Sequence, residues 1–563
     1  MKFSHTMDMS AKLKRFFLAL SVVLFVGQSV VKAQTEAEMK RLIDIGKYED
    51  ALAMGQKILA QDPKNDKIDY LMGRAYFETE RVNEASAWFT KGQGHSSRNP
   101  MNFAGAGAVA ANQDNFEKAK LELDKAVGLN VKNDPKTFLA IAEAYMAYTT
   151  TDKAKAQPFL KEAELYLYKV QKLSPNDAES YVLLGKLYGL QGVEELEQGM
   201  YEKAIEKDPN YIFGYFRLGQ LFKKQSKFQE AADMFQKAIA LDPGYGPVYR
   251  AMAEMWILAK KYDKAEENIN KYLEIMGGDK GSRIIQMTIY YLGDQFDKAI
   301  EIGEKVIIDT NSTLVKRLLA YSYVRKTPAD AAKSMQWFNA YWEAVKTNPK
   351  AIIASDYEFY GKAFQLQGND VEAVKNYELS IELEKAKGDQ GKPNYELYNS
   401  VAEMYKEKND TIKRIYYLRK FVQSNTSGKY QLKENFALGQ AYFQVKDFIH
   451  ADSVFEVMTQ KMPDLHIGYS WRGRSNAAQD PGSKMGKALP YYEKVIELLG
   501  SDAEKIAKYK ADYITAMRYK GAYLATVLEK FAESRPFWEK ILELDPADVD
   551  AKNGLEYVKS KGG

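Results

Sequence analysis

The sequence contains no cysteine. Disulfides, thiolate metal sites, cysteine nucleophiles and a lipid-modified N-terminal cysteine are excluded together. Histidine is scarce: His5, His95, His450 and His466 are the whole supply. The last three lie far apart, without ligand-like neighbours at helical spacing. No H-E-x-x-H, G-x-S-x-G or G-x-x-x-x-G-K-[ST] pattern occurs. Gly105-Ala106-Gly107 follows no strand, so it reads as close helix packing rather than a phosphate cradle. Glu194-Glu195, Glu266-Glu267, Lys223-Lys224 and Lys260-Lys261 read as solvated helix faces and turns. No catalytic residue, cofactor or metal is expected.

Excess charge of one sign is also missing. The formal charge of +4 arises within residues 1–33, where Lys2, Lys12, Lys14, Arg15 and Lys32 face Asp8 alone. The remainder is balanced and offers no electrostatic case for nucleic acid or an anionic membrane. Beyond residue 33 no apolar run is long enough to span a bilayer, which takes about 20 residues. Within it, Phe16 to Gly27 is an apolar run behind a basic start, followed by Val31 and Ala33. That order matches a secretory leader cleaved after Ala33. An uncleaved anchor is the competing reading, and the short run favours the leader. An exported protein, periplasmic or associated with the outer membrane, is the expectation.

What is present is repetition. Pro209 to Pro243 divides into two short amphipathic segments around a turn. The first holds Tyr215, Leu218, Gly219 and Phe222; the second holds Ala231, Phe235 and Ala238. Ala231, Ala265 and Ala299 recur at intervals of 34 residues. In most units a small residue stands eighth in the first helix and another twentieth in the unit. Bulky residues between them follow the 3.6-residue period. The 39 tyrosines fall largely on such packing positions.

These residues and offsets resemble the tetratricopeptide repeat, a helix–turn–helix unit of 34 residues. One unit cannot bury its own apolar face, so units must stack. The resemblance implies an all-α solenoid, a right-handed superhelix. About fourteen units register along the chain, leaving no segment for a separate enzyme domain. The expected division is a leader over 1–33, an N-terminal array over 34–310, a C-terminal array over 311–546, and a capping helix and tail over 547–563. Insertions near 149–155, 388–393 and 478–486 mark places where curvature changes, with two arcs divided between 310 and 395. Glu197 and Arg414 stand where a small twentieth residue is expected.

In this family the first helices line a concave groove that receives peptide segments, through positions 2, 5, 9 and 12. On the fifth to seventh repeats position 5 is Val182, Phe216 and Arg250, and position 9 is Lys186, Gln220 and Glu254. With Arg217 these form the expected binding patch, Phe216 as apolar anchor and the cations for carboxylates or carbonyls. The family's clamp for a C-terminal carboxylate needs lysine and asparagine sets on three successive repeats, and these are absent. The resemblance implies a non-enzymatic scaffold for protein partners, set by analogy in assembly or secretion at the outer membrane. A second reading is a glycan or small-ligand binder using Trp256, Trp337, Trp342 and Trp471, although most of these fall near packing positions. A hydrolase built on the groove is a third and weakest reading.

Overall fold

A computed structural model describes residues 35–424, 431–500 and 502–563. The leader expected over 1–33 falls outside them. Every regular element among the described residues is helical. The helices pair into fourteen helix–turn–helix units, from residues 35–44 with Tyr48–Gln61 to Lys510–Thr526 with Phe531–Leu544. Val549–Ser560 follows as a closing helix, and Trp538 packs against its Gly554. The fold is the all-α solenoid that the periodicity requires.

The unit Ile212–Lys224 and Phe228–Leu241 shows why these residues pair. Ala231, Phe235 and Ala238 are fully buried, and Leu218 and Leu221 nearly so. Gly219 lets the Phe235 ring approach the first helix directly: an added Cβ would stand 2.6 Å from the ring. Gly73 with Phe89 and Gly439 with Phe455 repeat the arrangement. The first repeat inverts it. Met39 occupies the eighth position and Gly55 supplies the space, so the volume has changed helices. Packing constrains the sum of volumes more than the residue at either site.

The turn between the two helices has its own constraint. Its αL residue is Gly46, Gly192 or Gly368 in three repeats. In others it is Glu80, Asp114, Ser226, Lys260, Asn409 or Lys446, each with φ between 55° and 62°. A side chain there carries strain of about 1 kcal/mol, which the packed helices on either side hold in place. Asp and Asn then cap the following helices: Asn65 accepts from Ile68 N at 3.2 Å, and Asp177 from Ser180 N at 2.8 Å.

The irregular places have local causes. Around 149–155, Thr149 and Thr150 donate their amides to Asp114 at 3.1 and 3.0 Å, and the helix Lys153–Leu173 runs to 21 residues. Gly388–Gln390 forms a 3-10 turn. The loop after Gln479 folds around buried Asp480, which accepts from Met485 N at 3.0 Å. A short helix, Ala503–Lys508, precedes the fourteenth pair and was not expected. Glu197 fits its crowded position because Gly189 faces it, and burial raises its carboxyl pKa. At Arg414 the Nε atom is buried with no partner among the described residues.

The chain divides into two compact units, with the boundary between Leu318 and Leu319. In the first unit the first helices of successive repeats pack on one another, from Asp66–Glu78 to Lys280–Leu292. They form the inner, concave layer. The unit also closes on itself. Ile45 packs on the core around Phe216 and Tyr245, Gly46 meets Met276, and Arg41 pairs with Asp242 at 3.5 Å. The first repeat therefore touches the sixth and seventh.

Candidate interaction face

The seven residues expected to form a patch separate into three groups. Val182 and Phe216 are buried, each 6% exposed. Val182 lies among Ala178, Tyr201 and Leu218. The Phe216 ring meets Tyr245 edge-on at 5.2 Å. Position 5 abuts the next repeat, so an apolar side chain there is consumed by stacking. Phe216 is thus corrected from groove anchor to core residue, and Val182 with it.

Arg250 and Glu254 form the second group. Arg250 Nε donates to Glu254 at 3.2 Å, and Lys223 Nζ reaches the same carboxylate at 2.8 Å. Burial opposes ionisation of Glu254, but Lys223 and Arg250 outweigh it and hold the carboxyl below its ordinary range. These charges satisfy one another. Lys186, Arg217 and Gln220 form the third group, around a cavity of about 270 Å³. Arg217 donates to Gln220 at 2.9 Å, while Lys186 stays exposed.

Lys186 also borders a second recess of about 180 Å³, shared with Tyr70, Arg74, Glu78 and Glu143. Its floor is short side chains: Ala104, Gly105, Ala108, Ala140 and Ala144. Seven of the 13 residues of the helix Pro100–Asn112 are alanine or glycine; Phe89 fills the space at Gly105 and Leu123 that at Gly107, while Ala108 stays partly open in the recess. Arg74 stands in this recess half-buried, with no hydrogen bond or ion pair among the described residues. Burial alone would lower its pKa. Tyr70, Glu143, Asp44 and Glu78 outweigh burial and raise it, so the guanidinium stays charged. Burial pushes the Tyr70 phenol up to about 12. Burial, then Glu143, raises the Glu179 carboxyl against the pull of Lys40 and Arg74. Asp44, carried in from the first helix, is raised by burial against Lys40 and Arg74.

Position 9 of successive first helices therefore reads Arg74, Ala108, Glu143, Lys186, Gln220 and Glu254. Sequence reasoning stopped at the fifth repeat and missed the first three. Extending the same register toward the N-terminus would have found them. What such a face can do is recognise chain: an extended segment meets alternating charge and amide groups above an alanine floor. Among the described residues no group of three or more His, Asp or Glu stands ready to hold a metal. No helix among them is long and apolar enough to cross a membrane.

A stack of such helix pairs with a polar inner face defines a helical-repeat interaction scaffold. Tetratricopeptide repeat models match residues 42–94 and 212–245. The chain carries tetratricopeptide repeats. No curated protein matches it. Among solved structures, the C-terminal part of a TPR repeat-containing protein from Cytophaga hutchinsonii is 29% identical, covering 48% of this chain and 99% of its own at a TM-score of 0.35. A tetratricopeptide repeat protein from Parabacteroides merdae is 15% identical, covering 47% and 97%, at 0.32. PilW, described as a type IV pilus biogenesis factor, is 18% identical, covering 39% and 98%, at 0.32.

Proposed function

We propose that the chain is a non-enzymatic scaffold of the bacterial cell envelope that holds a partner protein segment on the concave face of its first unit. The observation that carries this reading is Arg74: a guanidinium half-buried in a recess, its charge supported by Tyr70, Glu143, Asp44 and Glu78 but none of its N–H groups in a hydrogen bond among the described residues, beside the exposed Lys186. Keeping such a charge partly desolvated is unfavourable unless something completes its hydrogen bonds. The floor stays partly open at Ala108, and the neighbouring carboxylates select against an evenly acidic partner. Export rests on the leader-like order of residues 12–33. Support of outer-membrane complex assembly or secretion is the setting that follows from export and repeat architecture together. Affinity capture from envelope extracts tests the reading. Wild-type chain is expected to retain a partner that Arg74→Glu with Lys186→Glu loses. Equal recovery by both would refute the placement on this face.

A further inference from the structure

The second unit holds a different kind of site. Of the tryptophans proposed as ring-stacking residues, Trp256 and Trp471 are consumed by packing. Trp256 is 7% exposed, with Lys264 Nζ 4.7 Å from the ring centre. Trp471 stacks on Phe455 at 5.5 Å, meets Phe443 edge-on at 5.3 Å, and lies under Arg474. Trp342 differs. It lines an open cleft of about 580 Å³ with Tyr357 and Tyr360, whose rings stand 5.3 and 5.6 Å from its own. That volume falls within the range of about 300–1,000 Å³ usual for small-ligand sites, whereas the two recesses of the first unit fall below it.

The polar groups of the cleft are few and placed. Asn376 is 4% exposed and reaches the cavity from the helix Asp370–Lys385. Its Nδ2 donates to Glu372 O at 2.8 Å, and among the described residues its Oδ1 accepts nothing. An acceptor open toward the cleft can take a donor from a ligand. Asn339 adds a second amide at the exposed rim. Glu343 and Lys346 neutralise each other there at 2.6 Å. The ligand is thus ring-shaped, uncharged and rich in donors, with aromatic faces for its C–H surfaces and amides for its hydroxyls.

We infer that the cleft of Trp342, Tyr357, Tyr360 and Asn376 is a binding site for a neutral saccharide. Its open side lets a longer glycan continue beyond the stacked ring. This site uses no residue of the concave face and stands or falls separately from it.

Isothermal titration of the full chain with maltohexaose, cellohexaose and chitohexaose tests the inference. At least one is expected to bind saturably. Trp342→Ala should weaken it tenfold or more and Asn339→Ala severalfold, while Trp256→Phe leaves it unchanged. Asn339 is exposed, so its removal keeps the test valid if Trp342→Ala misfolds. Absence of saturable binding with all three sugars overturns the inference. So does equal affinity in a folded Trp342→Ala chain and in Asn339→Ala, or binding only of a hexapeptide rich in proline and tryptophan.

Discussion

A Cβ built on Gly219 would stand 2.6 Å from Cε1 of Phe235, closer than real side chains approach. The two residues belong to opposite helices of one repeat, and the contact sets how near those helices lie. Gly219→Ala is expected to destabilise the first unit by about 1–3 kcal/mol through overpacking. Urea unfolding followed by circular dichroism measures it. Phe235→Leu in the same background should recover part of the loss. A recovery of zero would mean that the strain lies elsewhere.

In the second unit Asp356 is fully buried and organises the ninth and tenth repeats. It accepts from Tyr321 Oη at 2.6 Å, Tyr341 Oη at 2.7 Å and Ile353 N at 2.8 Å. Asp356→Ala strands these donors and is expected to lower stability by at least about 2 kcal/mol. A double-mutant cycle with Tyr341→Phe should show coupling of about 1 kcal/mol, measured by denaturant unfolding.

Much of this was legible in the sequence, and the reasons differ by residue. Gly219, Ala231, Ala265 and Ala299 revealed the repeat because helix contact demands a small residue at a fixed spacing. The same register named Lys186 and Gln220 as groove positions, and both line a recess. Phe216 misled, because a helix face does not say whether its ring meets a groove or the next repeat. Ile45 against the core of Phe216 and Tyr245 was beyond reach: it depends on how small rotations add up over six repeats, which no local pattern encodes. Met39 with Gly55 made the first repeat read as divergent, because its volumes are exchanged.

Acid should act on the second unit through Asp512. Burial would raise its pKa, but the approach of His466, the Ser470 hydroxyl at 2.7 Å and the Arg474 charge outweigh burial and lower it. A carboxyl held below its ordinary value of about 3.9 stabilises the fold above that pH. The contribution is lost as pH falls through the lowered folded-state value. Asp512→Asn is therefore expected to melt below wild type at pH 7. The gap should close under progressive acidification below pH 4, read by thermal unfolding. A gap independent of pH would contradict the assignment.

The self-closure of the first unit can be trapped, and the lack of native cysteine makes the experiment clean. Arg41 and Asp242 meet at 3.5 Å between side-chain tips. Arg41→Cys with Asp242→Cys, treated with a short bismaleimide, is expected to cross-link within one chain in high yield. Each single variant should not. Mass spectrometry of the tryptic bridge identifies the product. Failure of the pair would mean that the first repeat stands away from the sixth.

The concave face is tested most directly by a photoreactive phenylalanine analogue placed at Ala108, on the floor beside Arg74, in cells carrying the full chain. Light should join it to a discrete partner protein. Arg74→Glu should abolish that product, and the analogue at Lys120, exposed on the second helix of the same repeat, should give none. Cross-links from Lys120 but not Ala108, or products from Ala108 that persist in Arg74→Glu, would contradict recognition on this face.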